Sequence, residues 1–470
     1  MSRRNEMITL KLRDIRRQLN GRLVSGSENM DIHDSVIFHQ HKLKKSHTLV
    51  FMDKRKAISE KKWKRMIRNA PCAVITDHDQ DVVNGDEGLT IIQVGSVREA
   101  FMEFVSYYRK ICSLPIVAIT GTCGKTTTRE MLTHIMEENH SVTSTEWNDN
   151  APHRSFEYLM KINESTDFGI FETGLGGPGD LRYHCNVYQP DIGVITNIGS
   201  YHLDRCKTFE GYLAAKAEML EGLQNKGTLL LNADDPNISK ISLEEYKGTV
   251  HYFSIHKHSD FRGTSISISE EGTRFTLQAN GKEYPAFIPE IGEHHVYNGL
   301  AALRAAMELG EDIEMGIRRL SSFKNIERHF ELRKGRKGST IIDDTWNVNP
   351  TSLREAIKTL SIIGKGKKRV ALLGNIERLG AETKDVHKQI GKYVVECGID
   401  VLITYGKKAQ YIAEQAAKES QDIIVYPFTS IKGMDKTILN HLDEDTYVLV
   451  KCRAGSRPLM RLRKRLMESE

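Results

Sequence analysis

A glycine-rich turn between an apolar run and a helical run carries the clearest chemistry in the sequence. The stretch Pro115 to Thr128 reads PIVAITGTCGKTTT, with β-forming residues before Gly121 and a helical pattern from Arg129 to Glu138. Strand, glycine turn and helix in this order are typical of a loop that binds nucleotide phosphates. The glycines let backbone N–H groups approach phosphate oxygens, and the helix N-terminus adds its positive dipole end.

The residue types in this turn predict ATP and Mg²⁺ as ligands. Lys125 is expected to reach the β- and γ-phosphates, and the hydroxyl of Thr126 to ligate Mg²⁺. The strict pattern GxxxxGK[ST] is incomplete, because Ile119 occupies the position of its first glycine. For Cys123, inside the turn, we favour a tolerated small residue over a catalytic thiol. The residues expected at the nucleotide phosphates are Gly121, Thr122, Gly124, Lys125, Thr126 and Thr127.

An acidic residue at the end of a later apolar run is a candidate metal ligand. Phe168 to Glu172 reads as a buried strand that ends in a carboxylate. Acids at the carboxyl ends of parallel strands lie where α/β sheets bind ligands. Since Mg²⁺ prefers carboxylate oxygen, Glu172 is predicted to ligate it. A helix cap or a solvent-facing acid is the alternative.

The elements that must position these residues follow an alternating pattern. Apolar strand-like runs and helical segments alternate through the second half of the chain, which predicts parallel sheets covered by helices. An antiparallel extension is expected over Ser265 to Phe287, where short alternating runs surround Asn280-Gly281. In the first 112 residues, strands at Thr48 to Met52 and Cys72 to Thr76 and helices at Ser59 to Arg68 and Val97 to Cys112 predict a small α/β domain.

Composition limits the class of protein. The chain has 470 residues, a net charge of +5, and 27% charged residues. These values suit a soluble multidomain protein and give no case for a nucleic-acid partner. Seven cysteines without a CxxC pair predict free thiols in a reducing cytoplasm. We expect no membrane insertion, because no apolar run is long enough to span a bilayer.

Several ordered segments resemble motifs of the Mur ligase family, the ATP-dependent ligases of peptidoglycan synthesis and their relatives. Besides TGTCGKTT, the similar segments are ITNIGSYHLD, AAKAEM, GEHHVYNGLAA, DDTWNVNP, LGNIERLG and VLVKCR. The resemblance implies an α/β protein of three domains. These are a small N-terminal substrate-binding domain over 1–112, a central P-loop-type ATPase domain over 113–320, and a C-terminal Rossmann-like ligase domain over 321–470.

The same resemblance assigns roles around the metal. His202 in ITNIGSYHLD is expected to contact a second Mg²⁺, whereas the residue alone reads as a solvated loop histidine. Lys216 in AAKAEM is expected to be carbamylated by CO₂, and a surface lysine near Glu218 is the alternative. Asn298 is expected to hydrogen-bond the adenine, with a helix cap as the alternative.

The remaining roles concern the nucleotide and the two substrates. Arg328 and Asp344 are expected at the nucleotide. Asn375 and Arg378 replace two acids of the family motif, which removes negative charge near the second substrate. The residues expected at the substrates are Asn148, Asn150, Asn347, Asn349 and Lys451; exposed polar loop positions are an equal explanation for the first two.

The implied reaction is ATP-dependent amide bond formation through an acyl phosphate. The expected substrates are UDP-N-acetylmuramoyl-tripeptide and D-alanyl-D-alanine, joined by a cytoplasmic monomer. One alternative is a ligase that joins a different carboxylate and amine, in capsule, cofactor or peptide-metabolite synthesis. It is favoured because Val36 replaces the arginine of the family's DSR motif and no DGH segment occurs. The other is a non-enzymatic nucleotide-binding protein on the same fold.

Overall fold

The computed structural model describes residues 7–37, 45–55, 68–78 and 89–467. The helix predicted over Ser59 to Arg68 lies outside these ranges except for its last residue. The described strands are β1 (Leu10–Lys11), β2 (Arg22–Ser25), β3 (Asp31–Ile32), β4 (Asp34–Ile37), β5 (Thr48–Met52), β6 (Cys72–Thr76), β7 (Leu89–Gln93), β8 (Ile116–Thr120), β9 (Val142–Ser144), β10 (Phe168–Glu172), β11 (Ile192–Ile195), β12 (Thr228–Asn232), β13 (Thr249–Ser254), β14 (Phe261–Ser269), β15 (Gly272–Ala279), β16 (Lys282–Ile288), β17 (Glu331–Lys334), β18 (Thr340–Asp344), β19 (Lys368–Gly374), β20 (Val401–Tyr405), β21 (Ile424–Phe428) and β22 (Thr446–Lys451).

The helices alternate with these strands. In chain order they are α1 (Leu12–Gln18), α2 (Val97–Cys112), α3 (Lys125–Met136), α4 (Ser155–Leu159), α5 (Asp180–Tyr188), α6 (Leu203–Cys206), α7 (Phe209–Gly222), α8 (Glu293–Glu308), α9 (Ile313–Leu320), α10 (Pro350–Ile363), α11 (Thr383–Glu396), α12 (Gln410–Glu419), α13 (Met434–Leu439) and α14 (Arg457–Met467). None of the helices among the described residues combines the length and apolar character needed to cross a bilayer.

The chain divides into two compact units. Unit 1 comprises Met1–Ala118, Asn139–Gly174 and Leu181–Asp191, and unit 2 comprises Ile119–Glu138, Leu175–Asp180 and Ile192–Glu470. The three domains with limits at 112 and 320 stay a prediction.

Unit 1 contains a five-stranded sheet with the order β2-β7-β6-β5-β4. Strands β4 to β7 pair in parallel, and β2 pairs with β7 in the antiparallel sense. Both β5 and β6 are continuous apolar runs buried along their whole length, as a parallel strand covered on both faces requires. Helix α2 covers this sheet with Phe101, Phe104 and Tyr108 on its buried side. Unit 1 also holds β10, which pairs in parallel with β9.

Unit 2 contains two runs of sheet. In the first, β11, β12, β13 and β14 pair in parallel, and β15 and β16 extend it as an antiparallel hairpin, as predicted. The second sheet has the order β17-β18-β22-β19-β20-β21, parallel except for β17. Helices α10, α11 and α12 pack their apolar residues on it. The α/β fold class predicted from the alternating pattern is confirmed.

Two predicted element limits differ from the structure. Helix α3 begins at Lys125 and not at Arg129, because Gly124 adopts a left-handed N-cap conformation that admits the threonines into the first turn. Helix α8 begins at Glu293 after Gly292, so Asn298 lies inside the helix, and the helix-cap alternative for this residue is wrong.

The buried hydroxyl of Tyr108 yields a test of unit 1. It accepts a hydrogen bond from the N–H of Ile8 at 2.8 Å and donates one to the carbonyl of Ile162 at 2.6 Å. We expect Tyr108→Phe to lower the free energy of unfolding by about 1–3 kcal/mol, because both backbone groups lose their partner. Chemical denaturation measures it, with Tyr107→Phe on the same helix as the control. An equal loss in both variants would refute the role of the hydroxyl.

Candidate functional site

The glycine turn between β8 and α3 is held by the two residues that follow β11. The side-chain amide of Asn197 donates to the carbonyl of Cys123 at 3.0 Å, and its oxygen accepts from the N–H of Cys123 at 3.0 Å. The hydroxyl of Thr196 donates to the same carbonyl at 2.7 Å. The N–H of Thr122 donates to the carbonyl of Asn197 at 2.9 Å. The turn is therefore fixed at both its N–H and C=O groups.

Two glycines in the turn permit this close packing. Gly121 has φ of +149° and Gly124 has φ of +79°, a region that side chains disfavour. A Cβ at Gly121 would lie 1.9 Å from Oγ1 of Thr196, and one at Gly124 would lie 2.3 Å from Oδ1 of Asn298. Asn298 is buried and accepts a hydrogen bond from the hydroxyl of Thr128 at 3.4 Å. Asn298, the residue predicted to bind adenine, therefore packs directly against Gly124 of the turn.

Helix α3 starts where the turn ends. Its N-cap is Gly124, and within the described chain no side chain caps its first turn. The first turn of a helix carries backbone N–H groups without intrahelical partners and the positive end of the macrodipole. Lys125, Thr126 and Thr127 form this turn, as the phosphate-loop interpretation requires. These groups suit the binding of an anion.

Lys216 lies directly behind the turn. Its side chain is 1% exposed, and its Nζ donates to Oγ1 of Thr120 at 2.9 Å and to the carbonyl of Gly121 at 3.1 Å. Nζ is also 5.5 Å from the ring centroid of Tyr212, whose hydroxyl lies 3.0 Å from Oγ1 of Thr122. The alternative of a surface lysine is wrong, because the residue is fully enclosed.

His202 faces a guanidinium group. The Nη1 atom of Arg378 lies 3.1 Å from Nδ1 of His202 and 3.4 Å from Nε2. Removal from water, followed by the charge of Arg378, lowers the pKa of the imidazole to about 3. Lys125, Lys216 and Arg205 act on this pKa in the same direction. The ring is therefore neutral, and it lies among positive charges.

The thiol of Cys123 is chemically quiet in this setting. Loss of contact with water raises its pKa to about 12, and this outweighs the opposite effect of Lys125. A thiol that stays protonated at neutral pH is a poor nucleophile. The structure therefore favours the interpretation of Cys123 as a small residue that the turn tolerates.

Three predicted ligands lie together in unit 1. Glu172 is 1% exposed, and its Oε1 accepts from Nδ2 of Asn150 at 2.5 Å. The same amide nitrogen lies 2.7 Å from Oδ1 of Asn148, and the carbonyl of Asn150 accepts from the N–H of Gly174. The solvent-facing alternative for Glu172 is wrong. The two asparagines and the carboxylate form one hydrogen-bonded group.

In the second sheet of unit 2, two predicted ligands pair with each other. Asp344 ends β18 and is in register with Lys451 at the end of β22. The Nζ of Lys451 donates to Oδ2 of Asp344 at 2.6 Å, and both side chains are buried. The pair places an acid and a base at the carboxyl ends of adjacent parallel strands, the edge where such sheets bind ligands.

The other predicted residues of this part also have internal partners. Asn349 caps α10 through a reciprocal capping box with Ser352. Asn347 accepts from the N–H of Val348 at 2.8 Å. The guanidinium of Arg328 donates to the carbonyl of Thr345 at 2.5 Å and lies 5.5 Å from the ring of Trp346.

The donor set determines what this arrangement can hold. Lys125 and Lys216 lie at the turn, Arg378 contacts His202, and α3 begins directly after its N-cap Gly124. A polyphosphate fits these charges. Glu172 in unit 1 and Thr126 in unit 2 each carry oxygens of the kind that Mg²⁺ prefers, and this ion is usually held by one or two protein oxygens together with phosphates. No cluster of three or more His, Cys, Asp or Glu arranged for a metal occurs among the described residues.

Comparison with known proteins identifies the family of the chain. The family model "Mur ligase middle domain" matches residues 119–306, and "Mur ligase, glutamate ligase domain" matches 328–453. The UDP-N-acetylmuramoyl-tripeptide–D-alanyl-D-alanine ligase of Bacillus subtilis (strain 168) is 31% identical over 392 residues, which cover 83% of this chain and 84% of that protein.

Two solved structures share the fold. A crystal structure of MurF from Acinetobacter baumannii has a TM-score of 0.82 at 22% identity and covers 98% of this chain and 99% of that one. MurF from Thermotoga maritima in complex with ADP has a TM-score of 0.72 at 23% identity, covering 92% and 97%.

A phosphate loop on an α/β fold thus defines a nucleotide-dependent enzyme. The chain belongs to the Mur ligase family, and it is an ATP-dependent ligase. The non-enzymatic alternative is therefore wrong.

The sequence analysis missed the residues that shape the site. In the sequence, Thr196 and Asn197 were recognised only as part of the segment before His202, and no motif indicated a role for Tyr212. The run ITNI offered a hint, because a polar Thr-Asn pair directly after a buried strand lies at the ligand-binding edge of the sheet.

Asn197 provides the test of the turn. We expect Asn197→Ala to weaken ADP binding at least tenfold, a free-energy change of about 1.4 kcal/mol, because the turn loses two hydrogen bonds. Isothermal titration calorimetry measures the affinity. Asn237→Ala is the matched control, since Nδ2 of Asn237 donates to Ile198 and not to the turn. Unchanged ADP affinity in a folded Asn197→Ala protein would contradict this role.

Proposed function

We propose that this chain adds D-alanyl-D-alanine to UDP-N-acetylmuramoyl-tripeptide in peptidoglycan synthesis. The observation that carries the choice of substrates is the 31% identity to the B. subtilis ligase of that name, which extends over 84% of its length. ATP would supply the γ-phosphoryl group to the substrate carboxylate. The amine of the dipeptide would then attack the acyl phosphate, and phosphate would leave.

The turn and α3 would bind the phosphates of ATP. The N–H groups of the first helical turn would face the phosphate oxygens, and Lys125 would neutralise the transferring group. Mg²⁺, with oxygens of Thr126 and Glu172 as ligands, would supply further neutralisation of phosphate charge. The chain needs no covalent nucleophile, because catalysis rests on position and charge.

Lys216 would carry a carbamate. The reaction with CO₂ requires a neutral amine, and Nζ of Lys216 is the buried amine directly behind the turn, beside Thr120 and Gly121. The carbamate would replace a positive charge behind the turn by a negative one. In this proposal Asn150 and Asn148 hold Glu172 in place and line the pocket for the carboxylate substrate.

The C-terminal residues would bind the amine and the nucleotide. Asp344 and Lys451 present opposite charges at one sheet edge, which suits a dipeptide that carries both an ammonium and a carboxylate. Asn347 and Asn349 would shape the loop beside it, with Asn349 acting through the cap of α10. Arg328 would hold the loop of Thr345 beside the nucleotide. The free thiols and the nucleotide-linked substrate support a location in the cytoplasm.

A ligase with a different carboxylate is the second candidate. Val36 is buried within β4, and the hydroxyl of Ser35 donates to the carbonyl of Leu49 at 3.4 Å. This segment lies in the edge strand of its sheet, and the buried Val36 offers no guanidinium to a diphosphate. The observation favours a carboxylate substrate that does not depend on such a contact.

Phosphate release tests the choice of substrates. We expect release from ATP and Mg²⁺ only when UDP-N-acetylmuramoyl-tripeptide and D-alanyl-D-alanine are both present, because the acyl phosphate forms on one and is consumed by the other. The product should have their summed mass less one water. L-alanyl-L-alanine is the control for the amine. Silence with both substrates, from protein that binds ATP, would favour the second candidate.

Lys216→Ala tests the carbamate. We expect turnover to fall at least about 100-fold, because the substitution removes a charge at the phosphoryl group. Short carboxylic acids such as acetate should restore part of it by occupying the space of the carbamate. A ¹³C NMR signal from labelled bicarbonate should be present in the unsubstituted protein and absent from the variant. The exposed Lys226 provides the control, Lys226→Ala. Full activity of Lys216→Ala would remove the carbamate.

A further inference from the structure

The contact between Arg378 and His202 conflicts with the second Mg²⁺ that the family resemblance assigns to His202. His202 is the residue expected to bind a second Mg²⁺, yet both of its ring nitrogens lie within 3.4 Å of Nη1 of Arg378. A neutral imidazole has a single lone pair, and here a cationic group lies within hydrogen-bonding distance of the ring nitrogens. A Mg²⁺ ion would need that lone pair at about 2.1 Å, which would bring two cations together. The surroundings of His202 therefore do not fit a metal ion.

The backbone holds Arg378 in this place. Its carbonyl accepts a hydrogen bond from the N–H of Leu203 at 2.9 Å, so the loop after β19 is tied to the start of α6. Gly380 in the same loop also packs closely against Leu203, because a Cβ at Gly380 would lie 3.3 Å from the carbonyl oxygen of Leu203. Both His202 and Arg378 adopt left-handed backbone conformations, with φ of +55° and +63°. Unfavourable backbone conformations of this kind concentrate at functional sites.

The positive charge of Arg378 suits a site that binds phosphate. The side chain of Arg378 is exposed, and its charge acts on His202 together with that of Lys125. A guanidinium presents several N–H donors in one plane, and it stabilises phosphoryl transfer in many enzymes when supplied beside the γ-phosphate. The family motif has an acid at this position, so the sign of the charge is reversed in this chain.

We propose that the guanidinium of Arg378 takes the place of a His202-bound second Mg²⁺, and that this ligase works with a single metal ion. Arg378 would contact the oxygens of the transferring phosphoryl group, with His202 as the residue that positions it. The inference rests on the proposed function for its catalytic part. The number of metal ions bound per chain can be measured with the nucleotide alone.

The decisive measurement is the number of Mn²⁺ ions bound per chain in the presence of AMPPNP, read from the electron paramagnetic resonance of free Mn²⁺. We expect one ion for the unsubstituted protein and two for Arg378→Glu, in which the imidazole is released and an acid is added. Arg205→Glu makes the same charge change close by and should leave the count at one. Two ions in the unsubstituted protein, or one ion in Arg378→Glu, would overturn the proposal.

A second variant guards against loss of the fold. Arg378→Ala also frees the imidazole and should bind two ions, with AMPPNP affinity and melting temperature confirming that it is folded. Given the proposed substrates, its kcat should fall about 100-fold or more with a small change in KM for ATP, whereas Arg205→Ala should retain its kcat. A kcat for Arg378→Ala equal to that of Arg205→Ala would refute the catalytic part. Because the metal count uses no carboxylate or amine, an error in the assigned substrates would leave it intact.

Discussion

The hydrogen bonds between the amide of Asn197 and the backbone of Cys123 fix the geometry on which the candidate site depends. They join the turn after β8 to the residues that follow β11. An asparagine satisfies a donor and an acceptor at once, which no aliphatic or acidic residue does. With the turn fixed, the carbonyl of Gly121 accepts a hydrogen bond from Lys216, and α3 begins directly after Gly124.

The fold was largely predictable where burial is uniform. Strands β5, β6 and β10 are apolar runs without polar interruption, and their limits match the predicted ones. Strand β18 shows where this signal ends, because it continues through two aspartates beyond its apolar residues. Asp343 pairs with Arg463, and Asp344 with Lys451, so tertiary partners extend a strand that its own composition would have ended.

The candidate site was predictable in its residue types but not in its contacts. Lys216 meets Thr120 across 96 positions and Arg378 meets His202 across 176, and no local pattern encodes such pairs. By contrast, the cap formed by Asn349 is local: asparagine followed by Pro350 at the first helical position is a recognised start signal. Asn349 was predicted to be a substrate ligand, although the Asn-Pro pair already indicated a helix cap.

The protonated state of Cys123 has a consequence for how the enzyme responds to its chemical surroundings. Alkylating agents and peroxides react with thiolates, and a thiol with a pKa of about 12 offers almost none at neutral pH. The turn therefore carries a sulfur atom that is a poor target for oxidation at neutral pH. Electrophilic compounds aimed at Cys123 are expected to react slowly, so a compound that binds at this loop would gain its affinity from reversible contacts.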